Sequence, residues 1–181
     1  MSTPTQSKEP VTTMLAQVKA ASGGRLLALH TDLARSPAVL AAYLGLRRAG
    51  GEHGTLDPLV RAAIMLTAGA VDGGAYSQAI ATQLAIRTGM SQEETVAVRA
   101  GRVDDARTAA LLAVVREAAA NAGAVGETAW ATATAAGWSD EQLVEAFCFL
   151  ALTVFVDYFV NYAGTTLDVP PAPAIASEAK K

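Results

Sequence analysis

Cysteine is nearly absent. Cys148 is the one thiol among 181 residues, so no disulfide can close within the chain and no Cys-x-x-Cys pair exists for redox cycling. Thiol use this sparse fits a reducing compartment, and a cytoplasmic location is predicted. Charge is also scarce: Asp, Glu, Lys and Arg make up 17% of the residues, and the formal net charge is −3. No basic stripe is left to serve as a footprint for nucleic acid. The two histidines, His30 and His53, stand in no His/Cys/Asp cluster with ligand spacing, so no metal site is predicted. The glycine pairs 23–24, 50–51 and 73–74 match neither a phosphate loop nor a dinucleotide fingerprint. No flavin, haem or nicotinamide site can be read, and the expected cofactor is none.

Long hydrophobic runs are missing as well. The longest apolar stretch, residues 146–156, is bracketed by Glu145 and Asp157. It falls short of the roughly 20 residues a bilayer span needs, so it reads as a core helix and no membrane partner is expected. The first ten residues are polar and lack the apolar region of a signal peptide. Nowhere does an alternating Val/Ile/Thr run lie between turn residues, which removes the strand signal.

Helix punctuation, by contrast, recurs along the chain. Asp57-Pro58 supplies an N-cap followed by proline at the first helical position. Ser91 to Glu94 and Ser139 to Gln142 have the spacing of capping boxes. Gly89, Gly101, Gly123 and Gly137 stand where helices should stop. These signals predict helices over 9–21, 25–35, 37–49, 57–71, 75–88, 92–100, 104–122, 126–136 and 140–163. The expected organisation is an N-terminal segment (1–24) with a helix of its own, one helical domain (25–168) and a Pro/Ala-rich tail (169–181). That tail is expected to drape over a neighbour or to stay disordered. Hydrophobic residues reach 51%, more than one small domain readily hides, so apolar surface is expected to be buried between identical subunits.

Residues 69–90 carry the most information. With Gly89-Met90-Ser91, Arg99-Ala100-Gly101, the 135–143 run Ala-Ala-Gly-Trp-Ser-Asp-Glu-Gln-Leu and the close from Tyr158 through Asn161 and Gly164 to Asp168, they form an ordered set. Over residues 25–172 this set resembles the alkylhydroperoxidase D-like (AhpD-like) proteins of the carboxymuconolactone decarboxylase family. The resemblance implies an all-α, AhpD-like helical bundle that assembles through its helices into a homo-oligomer, a trimer or hexamer. It also implies a Cys-x-x-Cys at the head of a helix and a His four residues later. Those places hold Gly74, Ser77 and Ala81, and the family's acidic residue falls near Ala62.

The family's thiol chemistry is therefore not expected. A serine hydroxyl cannot replace a thiolate that cycles through a sulfenic acid, and Gly74 and Ala81 bring no functional group. Cys148, among Phe147, Phe149 and Leu150, is expected to be a structural thiol with a raised pKa. The polar residues that remain are Asp72, Tyr76, Ser77 and Gln78 near the head of the helix, and Asp157 with Asn161 four residues on. Asp157 interrupts an apolar helix, where a carboxylate is costly unless paired, so a raised pKa is expected. As alternatives, Asp72 caps the following helix and Asp157 is satisfied by a neighbouring Arg or Tyr. Glu145 is expected to complement the dipole of the last helix. The primary functional expectation is non-redox binding or conversion of a small organic molecule in an inter-helix pocket. The alternatives are a catalytically silent oligomeric scaffold and, less favoured, a peroxiredoxin-type antioxidant enzyme with an unrecognised thiol arrangement.

Overall fold

The structure, a computed structural model, describes residues 5–175. Among these residues there are nine helices and no strand. They are α1 (Thr5–Ala21), α2 (Ala28–Leu33), α3 (Pro37–Glu52), α4 (Pro58–Asp72), α5 (Ala75–Arg87), α6 (Gln92–Arg99), α7 (Ala106–Ala120), α8 (Glu127–Ala135) and α9 (Asp140–Ala163).

The helices start where local chemistry starts them. Asp57 accepts the Leu59 amide at 2.9 Å, with Pro58 opening α4. Both capping boxes close reciprocally, Ser91 with Glu94 and Ser139 with Gln142. Between α4 and α5 the chain reverses through Gly73, at φ 71°, a left-handed conformation that favours glycine. Asp72, however, does not cap α5. It is the last residue of α4, and the N-cap of α5 is Gly74, which has no side chain to offer.

α4 and α9 form the centre. α4 packs on α5, α6, α7 and α9, and α9 also meets α3, α5 and α7. Two apolar clusters result. One gathers Leu66, Leu111, Val115, Trp138 and Phe149 around α4, α7 and the first half of α9. The other gathers Leu29, Leu40, Tyr43, Tyr76 and Val156 around α2, α3 and the second half of α9. Trp138 is pinned by an indole N–H donated to the Arg107 carbonyl at 2.7 Å and by the Arg107 guanidinium over its ring.

Three sequence expectations need correcting. The apolar stretch at 146–156 belongs to a helix of 24 residues, long and apolar enough by length and composition to cross a membrane. Its shortness was therefore no argument; what marks it as a core helix is that four other helices pack on it. Glu145 does more than complement a dipole. It accepts the Thr55 amide at 2.6 Å and the Leu56 amide at 3.1 Å, fastening the loop before α4. Within the tail, Pro173 is held to its own chain, its carbonyl accepting from Arg99, and the residues just before the tail are fixed by Thr165 donating to Asp32 and Asp168 accepting the Ala28 amide. Residues 176–181 lie outside the described residues.

Candidate functional site

Four residues converge at the α4–α5 turn. Asp157, from the second half of α9, reaches the head of α5 and is 2% exposed. A Cβ built on Gly74 would lie 1.9 Å from Asp157 Oδ1 and 2.4 Å from Oδ2. The carboxylate thus fills the space that any side chain at position 74 would need. Ser77, also buried, turns its hydroxyl to the Gly74 carbonyl at 3.1 Å. Gly69 leaves room for that hydroxyl, since a Cβ there would come within 2.7 Å of it.

Neither oxygen of Asp157 has a hydrogen-bond partner among the described residues. Burial is the main influence on the group and pushes its pKa up to about 6. The Ser77 hydroxyl and amide face it and pull the pKa down, though neither completes a hydrogen bond, and the Asp72 charge pushes it up. Asp72 is itself exposed, with a pKa raised by partial desolvation. Asp72, Gly73 and Ala75 lie on the surface around the turn, so the Asp157 carboxylate sits one layer beneath it. A buried acid at the head of a helix, with a pKa near neutrality and vacant acceptor positions, is equipped for proton transfer.

The other sequence candidates lie elsewhere. Tyr76 is buried with its hydroxyl held between two partners, donating to Asp168 Oδ1 at 2.9 Å and accepting the Leu29 amide at 3.2 Å. Gln78 accepts from Arg99 Nη1 at 3.2 Å. Asn161 is exposed although it follows Asp157 by one turn, because α9 is leaving the core there. Ala62 and Ala81, where the sequence resemblance would place an acid and a His, are both fully buried in the first apolar cluster.

Of the remaining reactive groups, Cys148 is half-buried, with Sγ 3.7 Å from the Leu46 carbonyl; burial and then Glu145 raise its pKa. His30 is buried, accepts the Leu27 amide on Nδ1, and is lowered to about 4 by burial and by Arg47. His53 closes α3 as its C-cap. Sequence reasoning passed over Asp168 and Arg99 as functional groups. Both stood in view only as parts of family motifs, and nothing local announces that an arginine at a helix end will be buried.

Two cavities of about 450 Å³ each open away from the turn. One lies between α1 and α3, beside Met14, Val18, Leu44 and Arg48. The other lies among α4, α6 and the start of α7, beside Leu59, Met90, Val98 and Arg102.

Comparison with known proteins places the fold. A search of curated proteins finds no match. Among solved structures the chain is similar to the debrominase Bmp8, both as a cysteine-to-alanine variant in complex with 2,3,4-tribromopyrrole and as the apo protein. The TM-scores are 0.72 and 0.71 at 17% identity, covering 88% of this chain and 84% and 85% of the other. Residues 37–120, which span α3 to α7, match the model of the carboxymuconolactone decarboxylase family. Through that segment the chain is similar to the carboxymuconolactone decarboxylase family.

Proposed function

We propose that this chain is a non-redox family member that binds a small organic molecule at the α4–α5 turn and converts it by proton transfer. Asp157 is the acid–base group and Ser77 the polar group beside it. One observation carries the reading: an unpartnered, buried carboxylate occupies the place from which the family's first cysteine would project at Gly74. A thiolate and a carboxylate share a preference for a helix N-terminus, but the carboxylate exchanges protons rather than electrons. Bmp8 has been solved with 2,3,4-tribromopyrrole. A small planar organic molecule is the ligand class proposed here too, without the thiol step, because positions 74 and 77 hold no sulfur.

Native mass spectrometry of freshly purified protein, followed by titration with 2,3,4-tribromopyrrole and a muconolactone, tests this reading. A stoichiometric molecule or probe held by the native chain and lost in Asp157→Asn supports it. Equal retention by Asp157→Asn, or no binding of any molecule, sinks it.

The second reading, a silent oligomeric scaffold, is favoured by the outer face of α9. Val144, Phe147, Tyr158 and Tyr162 are 58%, 59%, 71% and 92% exposed. At 100° per residue they fall within about 60° of one another on the helix. We propose that a second copy of the chain covers this stripe. If the protein is an oligomer and Asp157→Asn changes assembly or stability alone, the scaffold reading prevails.

A further inference from the structure

Arg99 is a buried cation with no anion beside it among the described residues. It ends α6 at 5% exposure. Nη1 donates to the Gln78 side-chain oxygen and Nη2 to the Pro173 carbonyl, while Nε–H finds no acceptor. Burial lowers its pKa, and no carboxylate among the described residues opposes this. A guanidinium stays protonated even so. A full charge therefore sits out of water against two neutral oxygens, an arrangement that is unfavourable until a charged partner completes it.

The vacancy has a shape. Nε–H and the adjacent Nη2–H of an arginine point in parallel along one edge of the guanidinium, the edge that grips both oxygens of a carboxylate. Here one of those donors is empty and the other is met by a single peptide carbonyl. Gln78 occupies the other side of the guanidinium, its side-chain oxygen accepting from Nη1. One turn further along α5, Thr82 is 2% exposed with its hydroxyl unpartnered. Pro173 belongs to the extended segment after α9, which is tied down at Asp168 by Tyr76 and the Ala28 amide. Beyond Asp168 it carries Pro170, Pro171 and Pro173, which can donate no backbone hydrogen bond.

We propose that Arg99 is the anchor of a carboxylate-binding site, and that the segment ending at Pro173 is its displaceable plug. A small organic acid enters by replacing the Pro173 carbonyl. Its two oxygens take Nη2–H and Nε–H. The site stands on Arg99 and the plug alone, whether or not Asp157 acts on a substrate.

The Nε–H resonance of Arg99 in ¹⁵N-labelled, full-length protein reads the site directly, with sodium benzoate as probe and neutral benzamide as control. Benzoate is expected to shift that resonance saturably and benzamide to leave it in place. Arg99→Lys keeps the charge but loses the fork, and should bind benzoate about tenfold more weakly. Asp168→Ala loosens the plug and should bind it several-fold more tightly. The proposal is overturned if benzoate causes no saturable shift in the native protein, or if benzamide shifts it equally. It is also overturned if the resonance moves with protein concentration instead, which would mean that a carboxylate of a second copy fills the edge.

Discussion

Asp157 and Gly74 occupy one volume: the carboxylate of the first lies where the side chain of the second would be, 1.9 Å from an ideal Cβ. The absence of a side chain at position 74 is thus a condition for a buried acid arriving from a helix 83 positions later in the chain.

Gly74→Ala should therefore be destabilising. Overpacking of this kind typically costs about 1–3 kcal/mol, and Gly74 has φ −68°, which alanine adopts freely, so backbone strain adds nothing. Asp157→Ala should remove the clash. In urea unfolding, the double variant Gly74→Ala/Asp157→Ala is expected to lose less stability than Gly74→Ala in the native background. Simple additivity of the two changes would show that they do not share the space.

The raised pKa of Asp157 sets a pH dependence with a definite sign. The folded value is about 6 and the ordinary one 3.8, so the folded state holds the proton more tightly than the unfolded state. Stability is fully present below about pH 4 and is lost as the pH rises through 6, by an amount on the order of 3 kcal/mol. Asp157→Asn carries no titrating group there. The difference between native and Asp157→Asn unfolding energies, followed from pH 4 to 8, should fall across that window and then level off. A flat difference would show that the carboxylate titrates normally.

Tyr76 ties three segments through one hydroxyl. Tyr76→Phe strands the buried Leu29 amide and releases Asp168. The expected cost is about 1–3 kcal/mol, with faster hydrogen exchange at Leu29 and Thr165. Unchanged exchange at both amides would mean that the segment after α9 is held by other contacts.

Phe147 sits on the exposed α9 stripe and is 59% exposed in the single chain. Phe147→Glu should leave the folded subunit within about 0.5 kcal/mol of the native chain, as exposed substitutions usually do. Sedimentation should show a smaller species than the native protein. A native protein that sediments as a monomer would remove the basis for a covered stripe.

No thiol-dependent peroxide reduction is expected. Hydrogen peroxide should be consumed no faster than in buffer, and Cys148→Ser should change nothing. Turnover that disappears with Cys148→Ser would restore a thiol role to that residue.

The helices were legible in the sequence because their signals are local. A cap at Asp57 or Ser139 bonds an amide two or three residues away, and Gly73 or Gly137 stops a helix through its own φ. The resemblance to the family was legible for a related reason, since its motifs are short ordered runs. That positions 74 and 77 hold Gly and Ser rather than Cys could also be read directly.

Partners across the fold could not be read in this way. Asp157 and Asn161 are one turn apart on one helix, yet the first is buried and the second exposed, because burial depends on where α9 leaves the core rather than on spacing. Tyr76 and Ser77 are neighbours on α5 that face different segments, one toward Asp168 and the other toward the Gly74 carbonyl. The burial of Arg99 depends on a tail folding back from 74 residues further along the chain. Sequence alone determined the helices, their order and the chemistry that is missing. Tertiary packing decided which charges are buried and what faces them, because the solvation of a side chain is fixed by segments distant in sequence.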